Sequence, residues 1–334
     1  MRLPHATLAY EYRNDTLDLT RYGCLVIVNE RSEVLFSLGD PDGFVIFRSS
    51  SKPIQALPLV ALGLDAAYGL TDEETAIFAA SHLGEPFHVA ALERISQKAG
   101  ISEDMFLMAP AAPGDRDSDV ARIKAGLPER KFYHNCSGKH AALILTQRAL
   151  GGVPEDYWKP GQPVQLEVGR TIKAVAEADE IRTATDGCGV PVFATPLKNI
   201  AVAFKNLACV DTIGDEALRR AAAGFIPRMH KYPHMISGTG RLCTFLNGDG
   251  NIVAKGGANG VYGFGLKKQR AGVAFKCADG TTAAWPLLIM EALRTLGALS
   301  GETRQNLETF GPAVILNDNG VAVGRRELAF SFSF

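Results

Sequence analysis

Three groups of residues in this chain have the types and spacing that hydrolytic chemistry uses. Arg48-Ser49-Ser50-Ser51-Lys52-Pro53 holds a serine and a lysine spaced S-x-x-K. His134-Asn135-Cys136-Ser137-Gly138-Lys139-His140 and Asp186-Gly187-Cys188-Gly189-Val190-Pro191 each set a cysteine in a glycine-framed loop. At a helix start, Ser49 and Lys52 share one face, a turn apart. A neutral lysine amine there can take the hydroxyl proton as the serine attacks a carbonyl, provided burial or a nearby positive charge lowers the lysine pKa. The plainer alternative is that Ser49 to Ser51 cap a helix and Lys52 is solvated. Spacing alone favours that alternative, because S-x-x-K is common.

Lys255-Gly256-Gly257 shifts the balance. It ends an expected strand, and a lysine followed by small residues on a sheet edge is the third signature of penicillin-recognising serine enzymes. Ser81, at the end of an expected helix, can supply a second hydroxyl between the two lysines. The order Ser-x-x-Lys, Ser, Lys-Gly-Gly is more specific than any one piece of it.

Cys136 and Lys139 are three apart and share a face if a helix begins there, and a helix start lowers the pKa of a thiol. The glycines around Cys188 permit an unusual backbone and close approach. Two thiolates suggest zinc, which prefers soft sulfur ligands. The spacing matches no standard finger. The candidates for further ligands are Lys139, His140, His134 and Cys243, and a lysine must lose its proton to bind metal. Ordinary loop cysteines remain the alternative. His82, His88, His230 and His234 read as hydrogen-bonded loop residues. Gly238-Thr239-Gly240-Arg241 lacks the helix and further glycines of a phosphate loop.

The elements that must position these groups follow from patterning. Cys24 to Asn29 and Val34 to Ser37 predict a hairpin, and Val45 to Phe47 a strand running into the serines. A helix is expected from about Ser49 to Leu62, with Pro53 near its first turn and Gly63 stopping it. Thr71-Asp72-Glu73-Glu74 has capping-box spacing and starts a helix ending near Ser81. Further helices are expected over Phe87 to Ala99, Lys139 to Leu150, Val164 to Ala178, Leu197 to Ala208, Asp215 to Met229 and Pro286 to Leu296. Ala109 to Pro128 reads as an irregular excursion, long enough for a lid or a subunit contact. Strands are expected at Leu242 to Leu246, Ile252 to Lys255, Val261 to Leu266 and Val273 to Cys277, with a weak one in Val314 to Val323. Strands at both ends and helices between them imply an α+β fold. Its antiparallel sheet is completed by both termini and flanked by helices, in one domain over 1–334 with a helical part at about 64–235.

Composition narrows the function. With 334 residues and a 46% hydrophobic fraction, the chain can bury a sizeable core. Its 35 basic and 36 acidic residues leave no field for a polyanion, and no long Lys/Arg run occurs, which argues against nucleic acid and anionic membranes. No apolar run reaches the roughly 18–20 residues of a membrane span. Met1 to Thr20 carries Glu11, Asp15 and Asp18 and does not read as a secretory signal. Six cysteines are too sparse for a disulfide scaffold, so a reducing cytoplasm is the expected home.

Arg48 to Pro58, Ala80-Ser81-His82-Leu83-Gly84-Glu85-Pro86, Asn135 to Ala142, Asp186 to Pro196 and Lys255 to Val261 together resemble the bacterial L-asparaginase II family. This is the Rhizobium-type, thermolabile group, unrelated in sequence to the enterobacterial or N-terminal-threonine asparaginases. The likeness runs from about Arg21 to about Gly324. It implies a fold like serine β-lactamases and glutaminases, and hydrolysis of L-asparagine to L-aspartate and ammonia in a homodimer. Carried over by position, it pairs Ser49 with Lys52 and Ser81 with Lys255 in catalysis. It sets Cys136, Lys139 and Cys188 on a Zn2+ ion near the substrate, and Arg48, His140 and Asp186 on the substrate's amino-acid ends. Thr20-Arg21-Tyr22-Gly23 replaces a more basic stretch of relatives, and Cys243 stands where many have an acidic residue. Two rival functions stay open: a serine hydrolase of another amide (glutamine or a β-lactam), and a non-catalytic zinc-containing protein that binds an amino acid.

Overall fold

The computed structural model describes residues 4–332. The chain gathers into two compact units, one of Met1–Ser50, Thr195–Cys209 and Asn251–Phe334, the other of Ser51–Ala194 and Val210–Gly250.

The first unit is built on an antiparallel sheet drawn from both ends of the chain. In spatial order its strands are Val314–Leu316, Ala322–Leu328, Ala6–Arg13, Thr16–Val28, Ala271–Cys277, Val261–Leu266 and Ile252–Gly256. Val34–Leu38 also pairs with Thr16–Val28. The N- and C-terminal segments are direct neighbours, since Tyr10 opposes Thr20 on one side and Glu327 on the other. Cys24 to Val28 are buried on both faces, which is why that stretch reads as a continuous apolar run rather than an alternating one.

Helix Leu197–Ala208 lies on one face of this sheet. A Cβ at Gly263 would overlap the Phe204 ring, and Cβ atoms at Gly265 and Gly272 would overlap the carbonyl oxygens of Phe204 and Ala201. Those glycines let helix and sheet meet backbone to backbone. Tyr262 and Phe275 are cross-strand partners with stacked rings 5.6 Å apart. Trp285, at the start of helix Trp285–Thr295, meets the Tyr262 ring edge-on at 4.8 Å.

The second unit is mainly helical. Thr71 caps helix Asp72–Ala76 with both bonds of the expected capping box: Thr71 Oγ1 accepts from Glu74 N–H, and the Glu74 carboxylate accepts from Thr71 N–H. Helix Pro86–Ala99 ends at Gly100 in the left-handed region. Helix Ser137–Ala149 passes so close to Ile77 that a Cβ at Gly138 would overlap the Ile77 carbonyl oxygen. Only glycine fits there.

Several expectations need correcting. Leu242 to Leu246 is not a strand but the body of helix Leu242–Gly248. Five mostly apolar residues cannot separate the two periods, and Asn247 Nδ2 donates to the Cys243 carbonyl one turn back. The single helix expected from Ser49 to Leu62 is a tight turn over Arg48–Ser51, then Lys52–Gln55 and Leu57–Ala61, each short helix starting with a proline in its first turn. The excursion from Ala109 to Pro128 contains helix Arg116–Lys124, capped by the Asp115 carboxylate on Ser118 N–H. Strand Ala6–Arg13 and helix Gly301–Phe310 were not anticipated. Nor was the hairpin of Arg182–Thr185 with Pro191–Pro196, which carries the Cys188 loop at its tip.

Candidate active site

Lys52 opens the first short helix of the second unit, and its side chain is fully buried. Its Nζ donates to the carbonyl of Ala80 at 2.6 Å, to Ser81 Oγ at 3.1 Å and to the carbonyl of Asn135 at 3.2 Å. Burial pushes the amine below the usual lysine range, Cys136 counters this, and the positive Lys139 adds to it. Ser81 is half-buried, and its N–H donates to the Ile236 carbonyl at 2.9 Å. Lys52 and Ser81 are therefore together.

The next residue of that loop, His82, is held by two bonds. Its Nδ1 accepts from Gly84 N–H at 3.0 Å, so the proton sits on Nε2, which donates to Ser137 Oγ at 2.7 Å. Burial and the His88 and Lys52 charges keep its ring neutral, well below the ordinary histidine range. His88 stacks on it at 4.8 Å and is pushed down to about 4 by burial.

Lys139, on the first turn of helix Ser137–Ala149, is the centre of the second cluster. Its Nζ lies 3.0 Å from Cys188 Sγ and 3.3 Å from Asp186 Oδ2, and Cys188 Sγ lies 3.6 Å from the same carboxylate oxygen. The hairpin makes this meeting local. Asp186 N–H donates to the Val190 carbonyl, Gly189 N–H donates to the Asp186 carbonyl, and Gly189 has a positive φ of 91°. Burial alone would lower the Lys139 pKa, but Cys136, Cys188 and Asp186 override it and hold the amine above its usual range. Cys136 is pulled well below the ordinary thiol range by the hydrogen bond from Cys188, with Lys52 and Lys139 adding to the pull against burial. Cys188 is raised in turn, so the pair shares one negative charge. His140 follows directly, fully buried and held neutral by burial and the Lys139 charge.

In the first unit, Arg48 takes a left-handed conformation with φ of 52°, a strain on the order of 1 kcal/mol for a side-chain-bearing residue. It starts the turn Arg48–Ser51. Of the three serines there, Ser50 is buried with its hydroxyl bound to the Phe47 carbonyl at 2.6 Å, Ser51 is buried, and Ser49 is the accessible one. Strand Ile252–Gly256 ends beside this turn, since a Cβ at Gly257 would come within 2.8 Å of the Phe47 oxygen and 3.0 Å of Arg48 Cβ. Lys255 on that strand is buried, its Nζ donating to the Gly256 carbonyl at 2.8 Å.

A family model described as L-asparaginase II matches residues 9–328. The chain belongs to that family. Its members are amidohydrolases, so the class of reaction is the cleavage of an amide by water. No curated protein matches the chain by sequence. Among solved structures it is similar to a putative β-lactamase from Bacteroides dorei DSM 17855 (15% identity, 82% of this chain and 93% of that one, TM-score 0.49). It is also similar to a β-lactamase from Mycobacterium bovis (14%, 82% and 94%, 0.42) and to Mglu in its native form (14%, 84% and 62%, 0.39). The chain thus spans less than two thirds of Mglu.

Several groups around these residues carry no sequence signal. The carbonyls of Ala80 and Asn135 are backbone, which no motif reports. Tyr157 hydrogen-bonds His140 Nδ1 at 2.6 Å from a loop whose composition marks nothing. The Asp186 contact with Lys139 depends on the hairpin that patterning missed. Cys243 lies buried in helix Leu242–Gly248. Arg21, in the segment that departs from relatives, pairs with Glu11 and Asp279. Among the described residues no helix is long and apolar enough to cross a membrane.

Proposed function

We propose that the protein hydrolyses the side-chain amide of L-asparagine, giving L-aspartate and ammonia, with Ser49 as nucleophile and Lys52 as its base. The observation that carries this reading is the Lys52 amine. It is buried among carbonyl and hydroxyl dipoles, depressed below the ordinary lysine range, and placed three residues after the accessible serine of the strained Arg48–Ser51 turn. A base that works near neutral pH needs such a depressed amine.

Ser49 Oγ attacks the amide carbon and Lys52 accepts its proton. The tetrahedral intermediate collapses as the nitrogen gains a proton and leaves as ammonia, and water then cleaves the β-aspartyl ester with Lys52 again as base. Ser81 accepts a hydrogen bond from the Lys52 amine, which supports it as a proton carrier. Lys255 is its amine partner in the family resemblance, and Arg48 the cation for the α-carboxylate. Asp186, whose Oδ1 accepts from Gly187 N–H, is proposed for the α-ammonium.

The Lys139 cluster supports a zinc ion held by Cys136, Lys139 and Cys188. Donors around tetrahedral zinc lie about 3.5 Å apart, because the bonds run roughly 2.0–2.3 Å. Of the three proposed ligands, Lys139 Nζ and Cys188 Sγ lie 3.0 Å apart, near that scale. Among the described residues no group of three or more His, Cys, Asp and Glu side chains gathers into a metal site, so a metal here has to recruit the amine. When bound, it would supply positive charge beside the substrate.

Ammonia release from L-asparagine tests the reading, measured beside L-glutamine and a chromogenic β-lactam. Asparagine turnover abolished by Ser49→Ala is the expected result. Turnover of one of the other amides alone, or of none, overturns it.

A further inference from the structure

Tyr157 is buried with no exposed surface, although its phenol is a polar group. Its oxygen accepts from Leu107 N–H at 2.8 Å and lies 2.6 Å from His140 Nδ1. Its own carbonyl accepts from Gln165 Nε2 at 2.7 Å, and its ring meets the imidazole edge-on at 5.5 Å. The other imidazole nitrogen, His140 Nε2, is buried with no hydrogen-bond partner among the described residues.

Counting protons decides the tautomer. A phenol has one hydrogen to donate, and its oxygen already receives the Leu107 N–H. If His140 Nδ1 also donated to that oxygen, the phenolic hydrogen would be left without an acceptor among these partners. With Nδ1 as acceptor, the relay runs Leu107 N–H to Tyr157 O, then Tyr157 O–H to His140 Nδ1. The proton of the neutral ring then sits on Nε2. One buried donor remains unpaired, and an unpaired buried donor is costly unless a ligand meets it.

We propose that Tyr157 is a positioning residue: it locks His140 in the Nε2-protonated tautomer, so that Nε2–H is a fixed donor to a carbonyl or carboxylate oxygen of the substrate. This rests on the amide-hydrolase reading above and sharpens it. A ring that can only donate at Nε2 favours a substrate oxygen at that point and disfavours an ammonium. Asp186 supplies the acceptor for the ammonium end. Leu107 ties the relay to the cysteine loop, because a Cβ at Gly189 would come within 2.5 Å of Leu107 Cδ2.

The test is long-range 1H–15N correlation on the protein as purified, labelled with 15N-histidine, at neutral pH. The His140 signals are assigned by their loss in His140→Gln. The expected result is a neutral His140 ring with Nε2 protonated and Nδ1 bare, becoming a tautomer mixture in Tyr157→Phe. In the same variant KM for L-asparagine should rise about tenfold while kcat changes less than about threefold. A wild-type ring protonated on Nδ1 overturns the proposal, as does a Tyr157→Phe protein with unchanged tautomer and unchanged KM. If the wild type fails to turn over asparagine, the function reading falls, and the tautomer spectrum still decides the role of Tyr157. If Tyr157→Phe does not fold, the wild-type spectrum decides it alone.

Discussion

Lys52 and Lys139 are both buried in the second unit, at 0% and 2% exposure, and their amines are held in opposite ways. Lys52 is surrounded by two carbonyls and a hydroxyl, which are dipoles, and desolvation wins: its amine is pushed down. Lys139 is surrounded by two cysteines that share one negative charge and by the Asp186 carboxylate, and charge wins: its amine is pushed up. Burial raises the stakes for a lysine, and the neighbours choose the sign. The two are linked, because the charge on Lys139 is one of the influences that lower Lys52. One lysine is suited to give and take a proton, the other to balance anions or, stripped of its proton, to bind a metal.

Removing each lysine separates the roles. Lys52→Met should lower kcat for asparagine by about 10^2- to 10^4-fold, the usual worth of a positioned base, with metal content unchanged. Steady-state kinetics beside elemental analysis checks this, and loss of metal with intact kcat would reverse the assignment. In the metal-free protein Lys139→Met leaves a carboxylate and a thiolate buried without their cation, and unfolding in urea should show a loss of about 3 kcal/mol. An unchanged midpoint would mean that the cluster is not ionised as described.

His88 tests the desolvation half of the comparison without a lysine. Its pKa is pushed from 6.5 to about 4, and Glu85, its nearest carboxylate, lies 3.8 Å away from Nδ1. His234 presents a carbonyl to Nε2, and its own charge opposes a second one. The unfolded chain therefore binds more protons than the native one between pH 6.5 and 4. Stability contributed by this residue should be constant above pH 7 and fall by about 3 kcal/mol as pH drops through that window. Urea titrations of wild type against His88→Gln isolate the effect. Parallel pH curves for the two proteins would remove His88 as the cause.

The smallest effect is expected on stability when zinc is withdrawn. If the ion is held by two sulfurs and an amine beside the substrate, chelation should raise KM for asparagine while the melting temperature shifts by only a few degrees. Global unfolding on chelation would make the metal structural, and protein purified without chelator that carries no zinc would remove the site.

How much of this could be read from the chain depends on the range of the forces involved. The capping box at Thr71, the end of helix Pro86–Ala99 and the span of helix Leu197–Ala208 come from neighbours within a turn, and all were legible. Leu242 to Leu246 was misread because five residues fit either period. The hairpin under Cys188 was missed because Arg182–Thr185 is exposed throughout and shows no alternation. The S-x-x-K spacing pointed to Lys52, but the carbonyls of Ala80 and Asn135 that hold its amine lie 28 and 83 residues away.

The sequence by itself determined which side chains were available: a serine three residues before a lysine, two cysteines in glycine-framed loops, strands at both ends and helices between. Those follow from local sterics, spacing and hydrophobic pattern, which act over a few residues. The tertiary structure decided what each group became. Lys52 and Lys139 have the same intrinsic pKa, and only their enclosure, one by dipoles and one by anions, drives them apart. His140 is one of seven histidines in the chain, and the buried Tyr157 hydroxyl singles it out as a fixed donor. Proton affinity and tautomer are set by desolvation and by partners brought from distant segments, and those exist only once the chain has folded.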